Sequence, residues 1–397
     1  MKKYILFFFL PVLLIGLHAC DEGRIYENAV VEALGAGFSL AGDALRIRGC
    51  AAPAAFAPSM DCGESGSTLR FLIPLSLSLG EGGAFLMRGR LGERPLEPYD
   101  PMLDACGVTR RRESCPEGVR LTLRGHLRPG NYTLPGDVSS QFVTGMLYAL
   151  PLLPGDSTLT VTPPVESAGY IRMTLQCLED SGIRLEATGP YAWRIPGNQR
   201  YRAGNGALPG DWSQGAVLLC AGALGHAVRV TGLDPRSTQG DRAVLTALSA
   251  LGADFRWEGG ALRPAGGRLR GACFSGSDIP DIVPALALVC TQAAGESRIT
   301  GCGRLRLKES DRFAATVELL SALGADIRGE GDDLIIRGPT PLRGGVLHAR
   351  NDHRLVMLLA LAATVAAGPI TVRGAEAIDK SWPTFFATYA ALGGVAQ

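Results

Sequence analysis

The strongest constraint on the fold is a pattern that recurs six times: an apolar, helix-like stretch ending at a glycine. It reads VVEALGAG at Gly35, LDACGV at Gly107, LEDSGI at Gly182, LSALGAD at Gly252 and again at Gly324, and YAALGG at Gly393. The intervals are all roughly 70 residues, the spacing of a chain built from repeated supersecondary units. Each glycine stands where a helix end needs a residue tolerant of positive φ. Upstream of five of the six lies a second apolar helix with a polar opening: Glu64-Ser65-Gly66-Ser67-Thr68, Ser139-Ser140-Gln141, Asp211-Trp212-Ser213-Gln214, Pro280-Asp281 and Asn351-Asp352-His353-Arg354. Free N–H groups at helix starts bind anions, so several such openings in one chain point to an anionic ligand.

The polar opening precedes the glycine stop by about 40 residues in each complete unit. Counting back that far from Gly35 passes Met1, so the first unit is expected to lack its opening, and MKKYILFFFLPVLLIGLHAC stands there instead. Lys2 and Lys3, the apolar run and the terminal Leu17-His18-Ala19-Cys20 have the form of an export signal with a lipoprotein-type cysteine. The apolar run is short for a membrane span, which needs about 20 residues, and Asp21 enters the first unit without a linker. A misassigned or truncated start is the favoured reading of 1–20. An export signal and a variant first helix are the alternatives.

Between the helices, short β-branched or alternating runs read as strands: Ala44–Arg48, Val119–Leu123, Thr158–Val161, Ala227–Val230, Ser297–Ile299, Leu334–Ile336 and Ile370–Val372. The class is therefore α/β. Six such units cannot share one core, so two domains of three units are expected, 21–207 and 208–397, with the weakest boundary at Arg202–Ala207. Hydrophobic content of 46% and charged content of 19% fit an ordinary globular protein, and a net charge of +1 offers nothing to nucleic acid or to an anionic membrane surface. The run Arg110-Arg111-Arg112 reads as a solvated loop. The ten cysteines include no CxxC pair and no zinc-like spacing, so a reduced cytoplasmic protein without metal is expected.

Chemistry concentrates at the helix openings. Lys308-Glu309-Ser310-Asp311-Arg312 runs straight into FAATVELLSALGA. Ser310 and Asp311 are good caps, but cations at a helix N-terminus are unfavourable unless an anion joins them. Arg94, Arg312, Arg354 and Lys380 all stand near loop-to-helix junctions and together suggest a clamp for carboxylate and phosphate groups. Ser139, Ser140 and Gln141 suit a phosphate. Asp281, ahead of IVPALALVC, is a cap or a base, with a cap the commoner outcome.

ESGSTLR at Glu64–Arg70, GDVSSQF at Gly136–Phe142, LKESDR at Leu307–Arg312, DHR at Asp352–Arg354 and KSWP at Lys380–Pro383 occur in the order seen in EPSP synthases, the enolpyruvyl transferases of the shikimate pathway, and the chain resembles that family from about Asp21 to Gly394. The resemblance implies an inside-out α/β barrel of two three-unit domains that close over the substrates, with no cofactor and a monomeric state. It implies that Ser139, Ser140, Gln141, Ser167, Tyr170, Asp281 and Lys308 hold shikimate 3-phosphate. Phosphoenolpyruvate falls to Gly66, Arg94, Gln141, Arg312, Arg354 and Lys380, and the catalytic roles to Asp281, Lys308 and Glu309. The Pro-x-Ser-Lys-Ser segment with which the family opens does not occur in these 397 residues. Its Lys, Ser and Arg bind both substrates in the family and the Lys is also catalytic there, so the chain as it stands is expected to be inactive or nearly so. A relative that binds shikimate 3-phosphate without turnover, and an enolpyruvyl transferase of the UDP-N-acetylglucosamine type, are the alternatives.

Overall fold

The computed structural model describes residues 37–41, 44–48, 55–202 and 209–396. Gly35, the signal-like segment 1–20 and the opening of the first repeat lie outside them. The chain divides into two compact units, Met1–Leu208 and Pro209–Gln397.

In the first unit, one motif runs β3 (Ala57–Asp61), α1 (Gly66–Leu79), β4 (Gly82–Met87), α2 (Asp100–Ala105), β5 (Thr109–Cys115) and β6 (Gly118–Arg124). Its sheet has the order β3-β4-β6-β5, with β3 and β4 parallel and the other pairs antiparallel. The motif returns as β7 (Asn131–Pro135), α3 (Ser140–Ala149), β8 (Ser157–Thr162), α4 (Ala168–Asp180), β9 (Glu186–Gly189) and β10 (Ala192–Ile195), in the order β7-β8-β10-β9. A hairpin of β1 (Gly37–Ala41) and β2 (Ala44–Arg48) precedes both.

The second unit repeats the plan with losses. After α5 (Trp212–Ala223), the strands β11 (Val230–Thr231), β12 (Ala253–Glu258) and β13 (Ala261–Gly267) form a three-stranded sheet, β11-β13-β12, with α6 (Val244–Ala250) between β11 and β12. A full copy follows: β14 (Cys273–Ser275), α7 (Val283–Thr291), β15 (Gly295–Thr300), α8 (Arg312–Ala322), β16 (Asp326–Glu330) and β17 (Asp333–Gly338), in the order β14-β15-β17-β16. The chain ends with β18 (Gly345–His348), α9 (His353–Ala363), β19 (Ile370–Arg373) and α10 (Phe385–Ala391), with β18 and β19 parallel. No helix of the described residues is long and apolar enough to cross a membrane.

Local chemistry accounts for the element ends. The stop glycines inside the described residues take φ of 66° at Gly107, 76° at Gly182, 86° at Gly252, 98° at Gly324 and 94° at Gly393, a region open to glycine at little steric penalty. Ser65, Ser139, Asp211 and Asp352 cap α1, α3, α5 and α9 by accepting backbone N–H bonds. Helix α7 is buried on every side, as its unbroken apolar sequence requires.

Two readings from sequence need correction. Arg110-Arg111-Arg112 is not a loop but part of the edge strand β5, where Arg110 pairs with Asp100 and Asp104, Arg111 with Glu113, and Arg112 with the Gly92 carbonyl. Charge on an edge strand blocks further pairing, which reconciles the run with a sheet. The strand expected at Ala227–Val230 is reduced to Val230–Thr231.

Each unit has its own apolar core, one drawn from residues 57–201 and one from 212–385. In the first, α1 crosses α3 closely. The Tyr99 hydroxyl there lies 2.7 Å from the Arg70 carbonyl and 3.0 Å from that of Phe142. A Cβ on Gly145 would fall 2.3 Å from the Tyr99 oxygen and 2.4 Å from the Arg70 carbonyl. Gly145→Ala is therefore expected to destabilise the first unit by about 1–3 kcal/mol through overpacking. Urea unfolding reads this directly, and an unchanged midpoint would show that the two helices separate freely.

Candidate active site

The parallel strand pairs place the polar openings. In β3/β4, β7/β8, β14/β15 and β18/β19, both strands of each pair finish at one sheet end, and the loops leaving that end carry the candidate residues. Ligands of open α/β sheets bind outside such carboxyl ends. Gly66 follows β3 and Arg94 follows β4. Ser139 to Gln141 follow β7, and Ser167 with Tyr170 follow β8. Asp281 follows β14; Lys308, Glu309 and Arg312 follow β15. Arg354 follows β18 and Lys380 follows β19.

In the first unit, the start of α1 collects Arg70, Arg94 and Gln141. A Cβ on Gly66 would lie 3.0 Å from Arg94 Nη1, 3.2 Å from Gln141 Oε1 and 3.3 Å from Arg70 Nη1. Glycine keeps that space open for a ligand to approach the backbone. Arg70, 4% exposed, donates to Gln141 Oε1 at 2.7 Å and to the Pro95 carbonyl at 3.0 Å, and its guanidinium lies over the Phe142 ring. Arg94 has no carboxylate partner among the described residues, and its buried Nε makes no hydrogen bond. At the neighbouring pair, Ser139 and Ser140 are buried at the start of α3, and Ser167 is buried at the start of α4 with φ of 54°. The two loops are joined where Glu166 N donates to the Gly136 carbonyl at 3.1 Å.

In the second unit, the charges converge on Arg312, whose side chain is 1% exposed. Its Nη1 donates to Asp281 Oδ1 at 2.7 Å, its Nη2 to Glu309 Oε2 at 2.6 Å, and its Nε to Asp352 Oδ2 at 2.7 Å. Asp281 Oδ1 also lies 3.2 Å from Lys308 Nζ. Ser310 donates to Asp352 at 2.8 Å, so it is no cap; Asp311 caps α8 by accepting from Ala314 N at 2.9 Å. The anions expected beside these cations are thus in part the protein's own carboxylates. Asp281 is not a cap either. Residue Ile282 occupies that position in α7 and makes no side-chain bond, while the carboxylate turns to Lys308 and Arg312.

Arg354 and Lys380 complete this set. Arg354 reaches the Ser213 carbonyl at 3.5 Å, has no carboxylate partner among the described residues, and leaves its buried Nε without a hydrogen bond. Lys380 Nζ donates to the Asn351 carbonyl at 2.9 Å. Gln214 Nε2 donates to the Ser381 carbonyl at 2.8 Å, tying the start of α5 to the same corner.

The sequence reading missed Asp241. It is 1% exposed in the loop after β11; its Oδ2 accepts from the Ser213 hydroxyl and its buried Oδ1 has no hydrogen-bond partner. Burial, and then the charge of Asp281, push its carboxyl up to about 7. Asp281 moves the other way: burial alone would raise it, but Lys308, Arg312 and Arg354 outweigh burial and hold it well below the usual carboxylate range. Two acids with opposed shifts in one place divide naturally into a proton holder and a charged base. Burial lowers Lys308, while Asp281 and Glu309 partly restore it. Burial, then the neighbouring Arg354 charge, lowers His353 to about 4, which keeps its ring neutral near pH 7. In sequence, Gln239-Gly240-Asp241-Arg242 was the one available signal, an acid directly after a glycine in a short helical turn.

The Asp241 shift has a measurable consequence. Its carboxyl is raised from 3.8 to about 7 on folding, so the native state keeps a proton that the unfolded chain has lost across that window. Stability from this group is full below pH 4 and falls as pH rises to about 7, by on the order of 4 kcal/mol. The lowered Asp281 and Asp352 act below their ordinary range. The lowered His353, whose contribution rises with pH between about 4 and 6.5, acts alike in parent and variant, so the comparison of the two isolates Asp241. Asp241→Asn is expected to lose less stability than the parent between pH 5 and pH 7.5 in urea unfolding. Equal losses would count against a proton held there.

Solved structures identify the class. The fold matches an EPSP synthase from Acinetobacter baumannii with a TM-score of 0.74 at 24% identity, over 95% of this chain and 89% of that one. It also matches the enolpyruvyl transferase NikO from Streptomyces tendae, with a TM-score of 0.72 at 20% identity, over 98% of this chain and 93% of that one. The architecture is the mixed α/β fold of enolpyruvyl transferases.

The sequence model described as EPSP synthase (3-phosphoshikimate 1-carboxyvinyltransferase) matches residues 27–389. The 3-phosphoshikimate 1-carboxyvinyltransferase of Clostridium botulinum (strain Eklund 17B / Type B) is 41% identical over 339 residues, 85% of this chain and 78% of that protein. That of Clostridioides difficile (strain 630) is 39% identical over 338 residues, 85% and 77% respectively. The chain belongs to the EPSP synthase family.

Proposed function

We propose that this chain transfers the enolpyruvyl group of phosphoenolpyruvate to the 5-hydroxyl of shikimate 3-phosphate, releasing phosphate. One observation carries the reading beyond family membership. Arg94 and Arg354 each hold a buried Nε that makes no hydrogen bond, and neither forms a close ion pair with a carboxylate among the described residues. Half-buried guanidinium groups with a buried nitrogen left short of acceptors call for anionic ligands, and the two substrates bring two phosphates and two carboxylates.

In this reading Ser139, Ser140 and Ser167 hold the 3-phosphate, Tyr170 lies beside the ring, and Asp281 with Lys308 takes the ring hydroxyls. Gln141 contacts both substrates. The Gly66 turn, Arg94, Arg312, Arg354 and Lys380 hold phosphoenolpyruvate. The phosphoenolpyruvate methylene gains a proton, and the 5-hydroxyl oxygen bonds to the adjacent carbon as its own proton passes to Asp281. The new methyl group then returns a proton, with Glu309 assisting, as the bond to phosphate oxygen breaks. Fixed cations that stabilise the shifting charge, and alignment of the reacting atoms, supply most of the acceleration.

The six-unit plan belongs to the same proposal: three units in each of the domains 21–207 and 208–397, arranged as an inside-out α/β barrel. The recurring order of a parallel pair followed by an antiparallel hairpin supports it. The purified chain tests the activity. Phosphate release that requires both substrates together supports the transferase. Shikimate 3-phosphate binding without release selects the non-catalytic relative instead.

A further inference from the structure

The C-terminal end of α5 borders a groove that the proposed reaction does not use. In three repeats the segment after the last strand closes onto the end of the first helix or onto the short turn that extends it. Leu127 N donates to the Leu77 carbonyl at 2.8 Å, Gln199 N to that of Pro151 at 2.9 Å, and Thr340 N to that of Thr291 at 2.8 Å. In the repeat built on α5 the segment after β13 makes no such bond among the described residues, although it keeps the bond to the end of the second helix, Arg270 N to the Leu251 carbonyl at 2.9 Å, that Arg202 N makes to Ser181 and Arg343 N to Leu323 in other repeats. The strand ladder shortens with it. Six residue pairs join β4 to β6 and five join β15 to β17, but only two join β11 to β13. Most of β13, from Arg263 to Gly267, is left without a strand on that side. A Cβ at Gly225 or Gly266 would meet nothing within 4 Å.

A cavity of about 610 Å³ fills the opening, well inside the range of small-molecule sites. Its apolar wall comes from Val228, Phe255, Pro264 and Leu269, and Arg229, Arg256 and Arg263 line it beside a single acid, Asp254. Arg263 is 3.4 Å from Glu258, and Arg229 reaches the Gly259 carbonyl at 3.4 Å. Arg256 has no ion pair among the described residues. His226, also in the lining, has a buried Nε2 with no hydrogen-bond partner. Excess positive charge, an apolar wall and an unpaired buried nitrogen describe a receptor for one kind of molecule.

We propose that this groove binds a small organic carboxylate with an apolar body, at an accessory site separate from the residues assigned to the transfer. The carboxylate meets the arginines, the body lies on Phe255 and Val228, and His226 Nε2 gains a partner. Residues Ser213 and Gln214 sit at the other end of α5, about 15 Å away at 1.5 Å per residue, so occupancy does not require displacement of substrates.

The test is titration of the full chain with 3-phenylpropanoate, followed through the His226 ring resonance, with both substrates present at saturation. A saturable shift is expected, absent with the neutral 3-phenylpropan-1-ol. In the Arg229→Gln/Arg256→Gln/Arg263→Gln variant, apparent affinity should fall tenfold or more, as for lost charged hydrogen bonds. Ala227→Trp should block the cavity sterically without removing charge, which keeps the test decisive if the triple variant folds poorly. No saturable shift in the parent, or one that survives in both variants, overturns the proposal.

Discussion

Arg312→Met is expected to destabilise the second unit by about 3–5 kcal/mol and to abolish turnover. The side chain is 1% exposed, and it is the common partner of Asp281, Glu309 and Asp352. Asp352 is itself fully buried, and burial would push its carboxyl up were it not for Arg312. Removing the cation leaves the Asp352 charge without its main compensation away from water, the costly way to break a buried pair. Methionine keeps much of the volume, so the loss reports charge rather than packing. Two further variants separate the causes. Arg312→Lys keeps the charge but not the planar fork that serves three carboxylates, so it should recover only part of the stability. Arg312→Met/Asp352→Asn should be less unstable than the sum of its single changes, because the second removes the charge that the first exposes. Urea unfolding of the parent, these three variants and Asp352→Asn alone is the measurement. A loss below about 1 kcal/mol for Arg312→Met would falsify the account of this cluster as a charge-compensated core.

Asp281→Asn separates chemistry from stability. Asparagine still accepts from Lys308 and Arg312, and Arg312 keeps Glu309 and Asp352, so unfolding should change far less than for Arg312→Met. What disappears is the titrating carboxylate whose Oδ1 meets both cations. If Asp281 takes the proton of the attacking hydroxyl, kcat should fall by about 10²–10⁴-fold, the usual range for loss of a positioned base. Shikimate 3-phosphate affinity should stay within about tenfold of the parent. Rapid-quench turnover with equilibrium binding of that substrate separates the two quantities. Retention of kcat within about threefold would move the base elsewhere, with Glu309 next in line. The low carboxyl of Asp281 also predicts an acid limb displaced below the ordinary carboxylate range, because Lys308 and Arg312 favour its charged form.

Much of the site was legible because its residues sit in short local motifs. Lys308, Glu309 and Arg312 lie within five positions, and a helix start following a parallel strand brings such neighbours into one loop. Gly66 was legible as a flexible helix opening, but its use was not. Only the fold sets Arg70, Arg94 and Gln141 around it, and Gln141 stands 71 positions from Arg70. Asp281 carried two readings in sequence because an acid before an apolar helix is ordinarily a cap. Its partner Arg312 is 31 positions away, and no local rule contains that distance. The arginine run of β5 misled for a related reason: charge density suggests solvent, yet an edge strand with Asp100 and Asp104 beside it accommodates the same residues.

The sequence by itself determined the features that short-range sterics and hydrogen bonding control. Stop glycines at 107, 182, 252, 324 and 393 adopt positive φ, and Ser65, Ser139, Asp211 and Asp352 cap their helices. Both follow from a residue and its nearest neighbours alone. Tertiary structure decided which charges meet and which are left without partners. Asp241 is a raised acid only because β11 delivers it, buried, beside the charge of Asp281, and the groove at α5 exists only because one strand ladder stops after two pairs. Electrostatics and pairing of that kind depend on distances through space, and those are set only once the chain has folded.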